Sequence, residues 1–266
     1  MYRSYSFSKR SGLVQHHKVI MLVGATGGGK STLIDFMINF ILKVDWKDWF
    51  RFKIIPQQGE GPQSQAHSQT QIISSYTIYG NQHHNVPYTL TIIDTPGVGD
   101  TRGIGRDRAI LDQIRDFFLH SEAHNVDHID AIGFVAQSSL ARLTHTQRYV
   151  FDFILSVFGK DISPNILLLL TFCDGQKPRI FDAIKEADIP CSDSMFKFNN
   201  SALFARYVDK NTDDEDMFDR MFWRMGMKNF FQALNSLDPR SLILTKEVLE
   251  ERKRLETKFN GFATPN

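Results

Sequence analysis

The segment Gly24-Ala25-Thr26-Gly27-Gly28-Gly29-Lys30-Ser31 constrains this chain more than any other. It fits the pattern GxxxxGK[ST]. A β-branched run, Lys18 to Val23, leads into it, and an apolar stretch of helical length, Ser31 to Val44, leads out. Strand, glycine-rich turn and helix in that order are the context in which this pattern cradles phosphate. Glycines let successive backbone N–H groups point inward at the positive end of the helix. In such a cradle Lys30 bridges the β- and γ-phosphates and also serves catalysis. Ser31 offers a hydroxyl to Mg²⁺, and Thr32 completes the set of candidate nucleotide-binding residues.

The rest of the chain alternates strand and helix patterns. Residues 1–17 are polar and aperiodic and read as a loose arm. Residues 56–71 contain no large aliphatic or aromatic side chain until the next strand, and form a long polar loop of the kind that is often functional. Ile72 to Tyr79 and Tyr88 to Ile93 alternate as strands do, with GNQHHNVP as their hairpin connection. A helix is expected near Arg108 to His120, a buried strand at Asp130 to Gln137, and an amphipathic helix at Thr144 to Phe158. Asn165 to Phe172 is a near-continuous apolar run, the mark of a parallel strand covered on both faces. Helical Pro178 to Ala187 and a short strand at Met195 to Phe198 follow. A helix from Met217 to Leu237 carries Met217, Met221 and Met225 at a spacing of four, read as a core stripe. The tail, Ser241 to Phe259, reads as a solvated charged helix. The expected class is α/β: a doubly wound, mostly parallel sheet at 18–237, with a C-terminal helical extension at 238–266.

Composition excludes several classes. The chain has 266 residues, enough to bury a core without staples, and two cysteines, Cys173 and Cys191, so it is no disulfide scaffold. Without a secretion signal, two thiols suit a reducing, cytoplasmic setting. No apolar run nears the roughly 18 residues of a transmembrane segment. A net charge of +1 offers no footprint for nucleic acid.

Two further elements accompany the glycine-rich turn. Asp94-Thr95-Pro96-Gly97 ends a strand, where the carboxylate can hold Mg²⁺ through water and the N–H of Gly97 can sense a γ-phosphate. Small-molecule kinases with the same cradle usually lack this DxxG element, so the pair points to a GTPase switch rather than an ATPase. In Thr171-Phe172-Cys173-Asp174, the Asp174 carboxylate matches the two donors of guanine, which adenine lacks. Ser68 and Thr70, in the polar loop, are both candidates for the switch I hydroxyl that ligates Mg²⁺.

The order GxxxxGKS, DTPG, TxxD and then Phe198-Asn199-Asn200-Ser201 resembles the septin-like GTPases, the branch of the GIMAP proteins, the septins and the chloroplast Toc receptors. Among these it is most similar in motif to GIMAP, whose Arg-x-Thr box is matched by Arg142-Leu143-Thr144. The resemblance covers roughly residues 18–237. It implies a Mg²⁺-dependent GTPase that forms nucleotide-dependent homodimers, with Asn199 and Asn200 at the base and Arg142 acting in catalysis across the dimer. Two residues depart from the common pattern. Phe172 stands where a lysine stem usually covers the base, and would stack on the purine instead. Val98 follows DTPG where many small GTPases have a water-orienting Gln, which implies slow turnover or a scaffold role.

Overall fold

A computed structural model describes residues 2–7, 16–55, 70–99, 103–121, 126–174, 176–204 and 214–262. Its centre is the strand His17–Gly24 (β2), which is apolar on both sides because both sides are covered. Val19, Met21 and Val23 face one cluster; Ile20 and Leu22 face the other. Ile166–Thr171 (β7) divides the same way, Ile166, Leu168 and Leu170 against Leu167 and Leu169. Full burial of each such side chain is worth about 1.5–3 kcal/mol, so this double-sided apolar core is the main source of stability.

The remaining strands are Arg3–Phe7 (β1), Ser74–Ile78 (β3), Thr89–Asp94 (β4), His128–Ile129 (β5), Ala131–Gln137 (β6), Met195–Lys197 (β8) and Arg240–Ser241 (β9). Among the described residues the main sheet runs β1-β3-β4-β2-β6-β7-β8. Strands β4, β2, β6, β7 and β8 are parallel, and β3 joins β4 as the antiparallel hairpin expected from the sequence. The α/β class is therefore as expected. All five parallel strands end on one edge, where Gly24, Asp94, Gln137 and Thr171 meet.

The helices are Lys30–Ile41 (α1), Ile104–Leu119 (α2), His145–Phe158 (α3), Arg179–Glu186 (α4), Asp214–Ser236 (α5) and Ile243–Phe262 (α6). Side chains of α1 and α5 cover one sheet face; those of α2, α3, α4 and α6 belong to the cluster on the other. Helix α3 starts at a capping box in which Thr144 accepts from the Gln147 N–H and Gln147 accepts from the Thr144 N–H.

Three expectations are corrected. Residues Arg3–Phe7, expected in a loose arm, form an edge strand parallel to β3, with Tyr5 stacked on the ring of Tyr76. Among the described side chains of α5, Met227, Phe230, Phe231 and Leu234 are buried, whereas Met225, the one member of the expected methionine stripe whose side chain is described, is exposed; the side chains of Met217 and Met221 lie outside the described residues. The tail helix is not fully solvated. Leu242, just before α6, and Leu249 within it lie one heptad apart and are both buried beside α2 and α3.

The α5–α6 junction is held beneath β2 by a buried polar knot. Asp130 accepts from the Val19 N–H at 2.7 Å, from Lys18 Nζ at 3.0 Å and pairs with His128 Nε2 at 3.3 Å. Lys18 Nζ also donates to the Leu237 carbonyl at 3.1 Å. Asn165 Nδ2 donates to the Asp130 and Asp238 carbonyls, and its oxygen accepts from Arg240 Nε. The hydrogen bond to Asp130 pushes His128 up to about 9, against the opposing effect of burial and with further help from Asp127. Burial keeps neighbouring His17 below its usual value.

A proton held more tightly in the folded chain stabilises it below the unfolded pKa of about 6.5, and that gain is lost as pH rises through 9. Denaturant unfolding of wild type and His128→Gln should therefore differ most at pH 6, by about 1–3 kcal/mol, and converge by pH 9.5. A difference that stays constant with pH would rule out a protonated His128 in the knot.

Candidate functional site

Strand β2 reaches the loop through Gly24, whose φ is 150°. A Cβ there would stand 2.2 Å from the Val135 carbonyl oxygen of β6, so only glycine fits. Beyond it, three consecutive loop carbonyls are each held by a side chain. Gln137 Nε2, at the end of β6, donates to Gly27 O at 3.2 Å. Thr171 Oγ1, at the end of β7, donates to Gly28 O at 2.8 Å. Asn200 Nδ2 donates to Gly29 O at 3.1 Å. In a trans peptide the next N–H points the opposite way, so the Gly29 and Lys30 N–H groups are turned to the free side of the loop. Gly29 itself is left-handed, with φ 84°, and opens α1.

Lys30 is buried, and its ammonium donates to Gly24 O and Ala25 O at 3.0 and 3.1 Å. Burial lowers its pKa to about 8, with Asp94 acting the other way. Burial likewise raises the fully buried Asp94 carboxyl to about 6, opposed by Lys30 and by the Thr70 hydroxyl. Thr70 Oγ1 donates to Asp94 Oδ2 at 3.1 Å and lies 3.4 Å from Ser31 Oγ. The other carboxylate oxygen, Asp94 Oδ1, is buried with no partner. Three oxygen-bearing side chains thus converge, one with an unmet lone-pair atom: a donor set suited to a hard cation such as Mg²⁺. Of the two switch I candidates, Thr70 lies in this group, and Ser68 lies outside the described residues.

The DTPG segment lies directly on the loop. Thr95 Oγ1 donates to Leu22 O, the Thr26 N–H to Val98 O at 2.9 Å, and the Val98 N–H to Gly24 O at 3.3 Å. A Cβ on Gly97 would be 2.7 Å from both Cα and Oγ1 of Thr26. The Gly99 N–H donates to Asp107 in the first turn of α2, and Arg106 Nη2 donates to Gln71 O beside Thr70. Both segments flanking the loop are therefore anchored to α2.

At the other end, Phe172 has φ 55°, an uncommon conformation for a bulky residue, and its ring is 54% exposed. Ser138 Oγ holds its carbonyl at 2.8 Å. Asp174 is exposed, with Oδ1 accepting from the Gln176 N–H. The paired asparagines separate in role. Asn200 joins the loop and has a buried, unpartnered Oδ1, whereas the Asn199 oxygen accepts from the Ser201 N–H and hydroxyl and caps a short 3₁₀ turn. Arg142 is exposed in the loop between β6 and α3. Thr32 is a residue of α1. Sequence reasoning missed Gln137 and Ser138. Their signal is a pair of polar residues closing a buried strand at the edge where ligands of such sheets bind.

With this geometry in hand, comparison with known proteins bears on the family. A Septin family model matches residues 16–118, from β2 through the loop and DTPG to α2. The fold is that of a P-loop GTPase G domain. Among solved structures, Toc33 from Arabidopsis thaliana with GDP and Mg²⁺ is similar at 16% identity and a TM-score of 0.54, over 85% of this chain and 88% of that one. Toc33 with Mg²⁺ and GMPPNP gives 0.53 over the same shares, also at 16% identity. Chloroplast translocon components atToc33 and psToc159, for which dimerisation is important to GTPase activity, give 0.50 at 18% identity, over 82% and 81%. No curated protein matches the sequence. Among the described residues, no helix is long and apolar enough to cross a membrane.

In this glycine-rich loop the depressed Lys30 ammonium leans on Asp94 for its charge. Asp94→Asn should move the Lys30 titration below its wild-type value near 8, followed by NMR of the lysine side chain. A Lys30 that titrates unchanged in the variant would show that the two groups are not electrostatically coupled.

Proposed function

We propose that this protein binds GTP with Mg²⁺ and hydrolyses it to GDP and phosphate, slowly as a single chain and faster as a nucleotide-dependent homodimer. The observation that carries this reading is the loop whose carbonyls are held outward by Gln137, Thr171 and Asn200 beside buried Lys30 and Asp94. Residues Gly24 to Thr32 would surround the phosphates, with the N–H groups of Gly29 and Lys30 and the Lys30 ammonium supplying positive charge. Ser31, Thr70 and Asp94 would hold Mg²⁺, which when bound neutralises charge on the phosphate oxygens. Gly97 would offer its N–H to the γ-phosphate. Phe172 would stack on the purine, Asp174 would accept from guanine, and Asn200 would back the base from the loop side. Water attacks the γ-phosphorus, and catalysis is by positioning and charge compensation.

Val98 provides no side chain to orient that water, which favours a second reading as a nucleotide-dependent scaffold with little turnover. A guanidinium delivered by a second copy would supply the missing charge, and exposed Arg142 is our candidate. Toc33 supports the idea by analogy, since one arginine-to-alanine mutant of it is dimerisation-deficient. The Arg142-Leu143-Thr144 box and the Asn pair lead us to place the chain nearest the GIMAP proteins. Free thiols at Cys173 and Cys191 suit a cytoplasmic location.

Lys30→Ala and Ser31→Asn should each abolish measurable GTP binding, and wild type should prefer GTP to ATP in a titration, a preference that Asp174→Asn erodes. Equal wild-type affinities for the two nucleotides would defeat guanine selection. Arginine fingers are typically worth 10³–10⁵ in rate. Wild-type activity per molecule should climb with protein concentration, while Arg142→Ala binds GTP normally and stays slow. A flat wild-type profile would instead favour the scaffold.

A further inference from the structure

The hydroxyls around the phosphate loop are almost all engaged. Thr171 donates to Gly28 O, Thr95 to Leu22 O, Thr70 to Asp94, and Ser138 to Phe172 O; Ser31 lies against Thr70. Among the described residues of the loop, Thr26 is the one with a buried hydroxyl that has no partner, although its own N–H is tied to Val98 O. A buried hydroxyl without a partner is costly, and such a group in an ordered loop calls for an explanation. Its place is informative. Oγ1 is one of the atoms that a Cβ on Gly97 would strike, at 2.7 Å, so the hydroxyl lies against the backbone of DTPG. Lys30, on the same loop, bonds the carbonyls of Gly24 and Ala25, immediately before Thr26.

We infer that Thr26 reads the γ-phosphate with its side chain: the Oγ1–H donates to a γ-phosphate oxygen of the bound nucleoside triphosphate. This rests on the triphosphate-binding reading above and adds to it a role beyond the backbone cradle. The γ-phosphate brings anionic acceptors to the lip between Thr26 and Gly97, and a diphosphate brings none there. The bond is therefore made with GTP and missing with GDP, so Thr26 sets the preference between them. A side chain at Gly97 would strike Oγ1, so glycine there leaves the hydroxyl room.

The test uses the full chain in excess Mg²⁺ and measures equilibrium affinities for GTPγS and GDP by calorimetry. Thr26→Val keeps the shape and one methyl but removes the donor; Thr26→Ser keeps the donor. A hydrogen bond to a charged group predicts that Thr26→Val loses about tenfold or more in GTPγS affinity. GDP affinity should stay within about twofold, and Thr26→Ser should retain the wild-type ratio. Equal losses for both nucleotides, or no loss for either, would overturn the inference. So would a Thr26→Ser variant as impaired as Thr26→Val, because the methyl would then be what matters. A wild type that binds GDP but not GTPγS overturns it too, and one that binds neither removes the nucleotide site on which it stands.

Discussion

The site depends on the orientation of a few peptide planes. A glycine-rich loop has no intrinsic preference for presenting N–H groups rather than carbonyls, and glycine loses more conformational freedom on ordering than any other residue. Here the choice is made from outside the loop. Gln137, Thr171 and Asn200 come from three separate elements and each takes one carbonyl. Those donors are in place only because β6 and β7 pair in parallel register, Gln137 opposite Thr171, and because the Asn200 turn follows β8 on the same edge. The apolar alternation of the central strands thus fixes the polarity of a loop that contains almost no side chains of its own.

Charge at the site follows from the same burial. Lys30 and Asp94 are each pushed toward neutrality by desolvation and each restrained by the other. Such a pair is held away from its comfortable ionisation and gains from any ligand that adds the opposite charge. An anion beside Lys30 and a cation beside Asp94 would both relieve it, which suits a site meant to take phosphate and metal together.

Much of this was legible in the sequence because it is local. The GxxxxGKS pattern, its flanking strand and helix, and the hairpin before DTPG depend on neighbours within one or two elements. The apolar runs at β2 and β7 announce a sheet covered on both faces. What was not legible depends on distant partners. Arg3–Phe7 alternates polar and aromatic residues too weakly to read as a strand until β3 offers its edge. The core face of α5 could not be chosen among several apolar stripes without the sheet it lies on. Gln137 looks like an ordinary strand end, and Asn199 and Asn200 look interchangeable, until one is seen to cap a turn and the other to reach Gly29.

The knot beneath β2 bears on where this protein can be divided. Its members come from both ends of the described fold: Lys18 and Val19 from the first long strand, Leu237, Asp238 and Arg240 from the last turn before α6. A polypeptide severed between α5 and α6 would leave Asn165 without two of its partners and strip Leu242 and Leu249 from the apolar layer over α2 and α3. The smallest autonomous unit therefore extends past the junction into the charged helix. For recombinant dissection, the natural breakpoint falls beyond Leu249, on the far side of a helix whose sequence looks dispensable.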